Sequence, residues 1–193
     1  MDFLNITNPV NNLRPAAGRL LIAQPFLGDP DFSRSVVMLC EYDEKGVVGF
    51  VVNHNTKVAL ADVLPDIFTS PMPVYDGGPV QRDTLHFLHR VPELLGGEDV
   101  GNNVFWGGSY DALQQTIIDN SCTPGDIRLF AGYSGWTQEQ LDQELKDGSW
   151  IVAELKPEIL FDTEPAEMWK AAIRSLGKEY AMLENMPRDP SLN

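Results

Sequence analysis

Three glycine-bearing segments constrain this chain more than any other feature. They are Gly18–Pro25 (GRLLIAQP), Tyr75–Val80 (YDGGPV) and Gly132–Trp136 (GYSGW). Each sets glycine or proline near aromatic or β-branched residues at the end of an apolar run. Glycine in such a place allows unusual backbone dihedral angles, or lets a second backbone approach closely. We therefore expect these segments to lie at strand ends where the chain turns or packs tightly.

Length and composition indicate one globular domain. The chain has 193 residues, of which 43% are hydrophobic and 22% charged, which is enough for one buried core. We predict an irregular N-terminal lead-in over residues 1–17, a single domain over 18–185 and a frayed tail over 186–193.

The spacing of Cys40 and Cys122 is not that of a Cys-x-x-Cys motif, which favours two reduced thiols. The N-terminus lacks the pattern of a signal peptide and the apolar runs are strand-sized, so we expect a cytoplasmic protein without a membrane span.

The charge balance is strongly acidic. Lysine and arginine total 14 against 28 aspartates and glutamates, a formal net charge of -14. Affinity for a phosphate backbone comes largely from clustered lysine and arginine, and the sequence has no such cluster and no helix-turn-helix with a basic second helix. Direct nucleic-acid binding is therefore not expected. The acidity is typical of a soluble protein, and recruitment of a basic partner stays open as an alternative.

The apolar patterning predicts strands first and then strands interleaved with helices. Two apolar runs, Ser35–Tyr42 and Val47–Asn53, flank the turn residues Asp43–Gly46 and predict an antiparallel hairpin. The order of elements favours an α+β fold with a mixed sheet over a doubly wound sheet, whose Gly-x-Gly-x-x-Gly fingerprint is absent. Further predicted strands are 19–24, 74–75, 84–90, 104–106, 127–133, 150–155 and 158–161, with a loop at 91–102 and helices at 60–64, 110–120, 137–147 and 165–176.

The order of the motifs resembles one known family. The three glycine segments, with Asp29 and Phe32 after the first and Gln140 and Glu144 after the third, resemble the bacterial YqgE/AlgH family over roughly residues 18–176. The resemblance implies an α+β fold in which a bent mixed β-sheet forms a partial barrel flanked by helices. It implies little about activity, because the family's members are mostly labelled uncharacterised proteins or proposed transcriptional regulators.

One position departs from the family's pattern. After Asn53 the resemblance leads us to expect arginine or lysine followed by proline, but this chain has His54 and Asn55. A role that depends on a positive charge at this position would therefore lack its residue here.

The serine motif has two interpretations. Gly132–Trp136 departs from the nucleophile elbow Gly-x-Ser-x-Gly, since Trp136 stands where the final glycine is required. We therefore interpret Ser134 as part of a turn from a strand into a helix capped by Thr137, with Trp136 as the hydrophobic residue before the cap. The alternative is a nucleophile beside a histidine from elsewhere in the chain.

The double glycine also has two interpretations. Consecutive glycines such as Gly77 and Gly78 can present backbone amides to an anion. A tight turn with positive φ explains the same residues, and the motif lacks the lysine of a Walker sequence. The turn is the favoured interpretation.

Histidine and aspartate give no clear metal or acid–base site. His86 and His89 are three apart on a predicted strand, point to opposite faces and cannot chelate one ion together. Zinc would need His54 with Asp29 or Asp31. The loop aspartates are interpreted as caps and turn residues, although an acid–base pair stays open. The loop aspartates are Asp29, Asp31, Asp76 and Asp83.

These observations favour a non-enzymatic cytoplasmic protein with a regulatory role, acting through protein contacts or a small ligand near the glycine-rich loops. The alternative is an enzyme of unrecognised type with a cleft between the loops at 25–31, 76–83 and 133–136. No catalytic residue, metal ligand, cofactor or membrane contact is predicted. The candidate ligand or partner site consists of Asp29, Asn53, Asp76, Gly77, Gly78, Tyr133, Ser134 and Trp136.

Overall fold

The computed structural model describes residues 13–65 and 70–187. Within them the strands are β1 (Arg19–Ala23), β2 (Val36–Asp43), β3 (Gly46–Val51), β4 (Asn55–Ala59), β5 (Pro73–Asp76), β6 (Val80–His89), β7 (Glu98–Gly101), β8 (Val104–Trp106), β9 (Ile127–Trp136) and β10 (Trp150–Glu154). The helices are α1 (Leu60–Val63), α2 (Pro92–Leu95), α3 (Tyr110–Ile118), α4 (Gln138–Lys146), α5 (Pro157–Phe161), α6 (Pro165–Leu176) and α7 (Ala181–Glu184), with a 3-10 turn at Lys178–Tyr180.

The strands of the described residues form one curled sheet in the order β10-β1-β2-β3-β9-β6-β8-β7. Strand β5 pairs with β4 and runs parallel to β9, whereas the other neighbours are antiparallel. The sheet curls until β7 reaches the start of β1, where a Cβ atom on Gly18 would lie 2.2 Å from the carbonyl oxygen of Val100. The predicted α+β fold, with a bent mixed sheet forming a partial barrel, is confirmed.

Helices cover both faces of this sheet. Leu20 and Ile22 of β1 belong to the cluster beneath α5 and α6, whereas Leu21 and Ala23 belong to the cluster beneath α4. Burial on both faces explains why β1 is apolar at each position from Leu20 to Ala23 and does not alternate. A third cluster packs α1, α2 and α3 against β5, β6 and β9.

The predicted hairpin is confirmed as β2 and β3. Asp43 Oδ1 accepts hydrogen bonds from the backbone N–H groups of Lys45 and Gly46, at 2.7 and 3.2 Å. The side chain thereby closes the turn, which is a common role of aspartate at this position.

Three sequence predictions are wrong. Residues 158–161 form helix α5 and not a strand, and the predicted loop at 91–102 contains helix α2 and strand β7. Both helices carry proline at a first helical position, Pro157 and Pro92, where the fixed φ of proline favours the helix. The turn predicted around Ser134 is also wrong, because β9 continues to Trp136 and its last residues pair with β3.

The remaining predictions concern the ends of the chain, the thiols and the membrane. Residues 1–12 of the lead-in and 188–193 of the tail lie outside the described residues, and the single domain over 18–185 stays a prediction. Cys40 is buried, Cys122 is half-buried, and both are free thiols. In the described part of the chain, no helix has the length and apolar character needed to cross a bilayer.

Candidate functional site

Two of the glycine segments meet where the chain crosses strand β9. Strand β5 lies on one side of β9 and β6 on the other, and only Gly77, Gly78 and Pro79 connect them. A Cβ atom on Gly77 would lie 2.3 Å from the Gly132 carbonyl oxygen, and one on Gly132 would lie 2.7 Å from that of Val80. The glycines are therefore required for a close backbone crossing.

The Gly77 and Gly78 amides and the Ser134 hydroxyl are already hydrogen-bonded within this crossing. The Gly77 N–H donates to the Ala131 carbonyl at 2.9 Å, and the Gly78 N–H donates to Asp76 Oδ1 at 3.2 Å. Ser134 is 0% exposed, and its hydroxyl donates to the Gly77 carbonyl at 3.1 Å. Both the amides and the hydroxyl thus stabilise the crossing.

A polar cleft lies beside the crossing. It has a volume of about 850 Å³. Its walls come from four separate parts of the chain: the β1–β2 loop (residues 24–35), the segment from β3 into β4, the end of β5 and the start of α6. The lining residues are Ser33, Arg34, Asn53, His54, Asn55, Thr56, Asp76, Pro165, Ala166, Glu167, Trp169 and Lys170.

Two predicted site residues, Asn53 and Asp76, shape this cleft. Asn53 accepts from the Val36 N–H at 2.8 Å and donates to the Arg34 carbonyl at 3.0 Å, so it fixes the end of the β1–β2 loop. The second oxygen of Asp76 lies 3.4 Å from the Arg82 guanidinium, which also lies 3.6 Å from Asp31. Both carboxylates therefore already face a positive charge.

The Arg34 guanidinium packs over the ring of Trp169, another lining residue of the cleft. It lies 4.7 Å from the centre of the Trp169 ring and donates to the Met186 carbonyl. The Trp169 indole N–H in turn donates to the Ala23 carbonyl at 2.8 Å. Trp169 therefore contacts the residue before the β1–β2 loop and a residue near its end.

His54 lines the cleft as an uncharged side chain at neutral pH. Burial lowers its pKa below the ordinary value, and this outweighs a hydrogen bond with the Ser33 backbone and the charges of Asp76 and Asp31, which raise the pKa. The position where the resemblance leads us to expect arginine or lysine thus lies in the cleft, but here it adds no charge.

A second cavity, of about 370 Å³, lies on the other side of the β1–β2 loop. Three of its lining side chains, Phe32, Trp136 and Trp150, pack against one another with ring centres 5.4 to 6.1 Å apart. We call it the aromatic pocket. Its lining residues are Leu27, Asp29, Phe32, Pro79, Gly135, Trp136, Gln140, Glu144, Ser149 and Trp150.

Glu144 holds the two indoles of this pocket. One oxygen, Oε2, accepts from the indole N–H of Trp136 at 3.0 Å and from that of Trp150 at 2.7 Å. The other oxygen accepts from the Gln140 side chain at 2.9 Å. Thr137 caps α4 as the sequence indicates, with its side chain accepting the Gln140 backbone N–H.

The predicted site residues thus separate into three groups. Asn53 and Asp76 line the polar cleft, and Asp29 and Trp136 line the aromatic pocket. The others, Gly77, Gly78, Tyr133 and Ser134, line neither cavity: three belong to the crossing and Tyr133 packs against His86.

Sequence reasoning missed other lining residues, among them Arg34, Trp169 and Lys170. Arg34 lies more than one hundred residues from Trp169 and Lys170 in the chain, so no local motif joins them. The sequence did draw attention to Glu144, since this residue forms part of the motif that carries the family resemblance. Within the described ranges, no group of three or more histidine, cysteine, aspartate or glutamate side chains is placed to hold a metal ion.

Comparison with known proteins agrees with the fold and the motifs. The AlgH-like family model matches residues 20–181. A UPF0301 protein of Cytophaga hutchinsonii is 39% identical over 178 residues, covering 91% of this chain and 98% of the relative. A UPF0301 protein of Bacteroides fragilis is 37% identical over 184 residues, covering 95% of this chain and 94% of the relative.

Two solved structures are similar to this one. The solution structure of the AlgH protein from Pseudomonas aeruginosa has a TM-score of 0.68 and 31% identity, covering 91% of this chain and 98% of that chain. The crystal structure of protein DIP2367 from Corynebacterium diphtheriae has a TM-score of 0.78 and 24% identity, covering 96% of this chain and 100% of that chain, which shows the shared fold. The chain belongs to the AlgH-like family, whose matched relatives are UPF0301 proteins of uncharacterised function.

Proposed function

We propose that this protein is a non-enzymatic cytoplasmic regulator that binds a small anionic ligand in the polar cleft. The observation that carries the proposal is the cleft itself, with about 850 Å³ of space. This volume lies within the usual range of small-molecule sites.

The charges of the cleft favour an anion. Arg34 and Lys170 contribute two positive charges, and the first turn of α6, from Pro165 to Glu167, contributes the positive end of a twelve-residue helix. The negative charge of Asp76 is partly offset by Arg82, whose guanidinium also faces Asp31. Glu167 is exposed to solvent, where water screens its charge.

The arrangement supports binding and not catalysis. Ser134, the serine of the elbow-like motif, is buried in the crossing and donates to a carbonyl. His54 forms a hydrogen bond with the Ser33 backbone, and Asp76 is engaged by Arg82 and the Gly78 amide. These groups position the walls of the cleft.

The β1–β2 loop is the element through which a bound ligand would act. Ser33 and Arg34 line the polar cleft, whereas the preceding Phe32 lines the aromatic pocket. A ligand that draws Arg34 into the polar cleft would therefore also move Phe32, two residues earlier, whose ring lines the aromatic pocket on the other side of the loop. This shared loop supports a regulatory role, in which occupancy of one cavity changes the other.

Sulfate and citrate titrations followed by ¹H–¹⁵N NMR test the proposal. We expect the Trp169 indole resonance to shift saturably, and Lys170→Gln to weaken the binding several-fold. Lys178→Gln is the matched control, since Lys178 is exposed and lies outside the cleft. If neither anion shifts Trp169 beyond the effect of chloride at equal ionic strength, the proposed ligand class is wrong.

One observation favours the enzyme as a second candidate function. Ser33, His54 and Asp76 all line the cleft, and these residue types form serine hydrolase triads. A fluorophosphonate probe tests this candidate, because it labels an activated serine irreversibly. We expect no mass increase on the native protein, and labelling that is lost in Ser33→Ala would establish the enzyme instead.

A further inference from the structure

The aromatic pocket has the composition of a site for a positively charged organic group. Two indoles and a phenyl ring line it, together with the carboxylates of Asp29 and Glu144. Aromatic faces attract cations through the ring quadrupole, and a desolvated cation gains more from them than an exposed one. None of the described residues that line the pocket is a lysine or an arginine.

The charge of Glu144 is not matched by a cation. Among the described residues, no ion pair joins Glu144 to a lysine, arginine or histidine, and its partners are three neutral N–H groups. A carboxylate can accept about four hydrogen bonds, so one acceptor position remains. The pocket therefore holds a fixed negative charge beside aromatic rings.

The rings are held in place before any ligand arrives. Trp136 and Trp150 are 7% and 2% exposed and are fixed by the same oxygen of Glu144, so the half-buried Phe32 ring offers a ligand more accessible aromatic surface than either indole. Preorganised walls lose little conformational entropy on binding, which favours affinity. Asp29 is exposed at the same pocket and adds attraction for a cation approaching from solvent.

We propose that the aromatic pocket binds an organic cation, either a lysine or arginine side chain of a partner protein or a free quaternary ammonium compound. The net charge of -14 assists either source, because it raises the local concentration of cations. This site is separate from the polar cleft, so the inference does not depend on the anionic ligand proposed there.

The tryptophans give a test that reports on each cavity. The chain has four; Trp136 and Trp150 line the aromatic pocket, and Trp169 lines the polar cleft. Choline should shift the indole resonances of Trp136 and Trp150 saturably, and by more than that of Trp169. Its uncharged carbon isostere, 3,3-dimethyl-1-butanol, should bind at least several-fold more weakly.

Charge variants test the role of the carboxylate. Glu144→Gln keeps an acceptor for the indoles but removes the charge, and should weaken choline binding by roughly tenfold or more. Glu139→Gln is the matched control, because Glu139 is exposed on the same helix and outside the pocket. Asp29→Asn, at an exposed position, should weaken choline binding several-fold. If Glu144→Gln fails to fold, this variant tests whether carboxylate charge contributes to choline binding.

Peptide ligands distinguish the two sources of the cation. A short peptide with one lysine or arginine that binds more tightly than choline indicates a partner protein, and the reverse order indicates a free quaternary ammonium. Equal binding of choline and its isostere overturns the proposal, since the pocket would then select only for apolar shape. Choline shifts confined to Trp169 overturn it as well, whereas failure of sulfate and citrate at Trp169 contradicts only the anion proposal.

Discussion

Single glycines decide whether the chain can cross β9. Gly132 has φ of +69°, a left-handed conformation that other residues adopt at a cost, and it also faces the carbonyl oxygens of Gly78 and Val80. Glycine is therefore required at position 132 both for its dihedral angle and because a Cβ atom would have no space. The glycine-rich segment is thus explained by backbone packing without any ligand.

Substitution of Gly132 by alanine should therefore destabilise the protein strongly. We expect a loss of roughly 2–4 kcal/mol in the free energy of unfolding, from backbone strain and overpacking together. Urea denaturation of Gly132→Ala and of Gly28→Ala measures this, because Gly28 has open space around its Cβ position and no left-handed φ. A loss below half a kcal/mol in Gly132→Ala would contradict the structural role.

Among the elements, those with clear local patterns could be predicted from the sequence. The hairpin of β2 and β3 and the amphipathic helix α6 lie where their apolar periodicity places them. The short helices α2 and α5 were missed because four or five residues show no periodicity, although each has proline followed by glutamate at its start. These pairs are helix-start signals that a search for apolar patterns overlooks.

Contacts between distant parts of the chain explain both the wrong prediction of a turn at Ser134 and the division of the predicted site residues between two cavities. Ser134 and Trp136 extend β9 because β3 pairs with them, and no local pattern reveals that partner. Likewise, the polar cleft joins Arg34, Asn53 and Lys170, which only the fold brings together. The motifs therefore led to two residues of each cavity, Asn53 and Asp76 in one and Asp29 and Trp136 in the other, but not to the distant side chains that complete them.

Strand β6 contains a buried histidine that makes stability depend on pH. His89 is 0% exposed, its Nε2 lies 2.9 Å from the Gly107 carbonyl oxygen, and its Nδ1 accepts the Val91 N–H at 3.3 Å. A carbonyl only accepts, so Nε2 carries the hydrogen and the ring is neutral. Burial lowers the pKa of His89, against the smaller effects of the Gly107 hydrogen bond and Glu93.

Acidification should therefore weaken the fold. The unfolded chain takes up a proton near pH 6.5, whereas the native ring stays neutral to lower pH, so the free energy of unfolding falls as pH drops through this window. The pKa values of His54 and His86 are also lowered by burial, so these side chains likewise make the free energy of unfolding fall on acidification. We expect a loss of roughly 1 kcal/mol or more between about pH 7 and pH 5.5 by urea denaturation, with a shallower decline in His89→Gln. Stability that is constant or rises on acidification would contradict this account.

The whole molecule carries an excess of negative charge that opposes nucleic-acid binding. The 28 acidic residues outnumber the 14 basic ones, and the basic residues of the site face carboxylates or the polar cleft. Counterion release from a duplex needs clustered lysine and arginine. A regulatory role would therefore run through ligands and partner proteins.

The protein should accordingly show no salt-sensitive retention on duplex DNA. Electrophoretic mobility shifts or retention on immobilised DNA at physiological ionic strength, with a basic DNA-binding protein as positive control, measure this directly. Retention that falls steeply with added salt would contradict this prediction and indicate direct DNA binding.

The regulatory account requires that the two cavities communicate through the β1–β2 loop. The most direct test measures the affinity for choline in the aromatic pocket with and without saturating sulfate in the polar cleft, at matched ionic strength. We expect sulfate to change the dissociation constant of choline several-fold, choline to change that of sulfate by the same factor, and Lys170→Gln to shift the effect of sulfate to several-fold higher sulfate concentrations. Two ligands that bind with affinities independent of each other would contradict it.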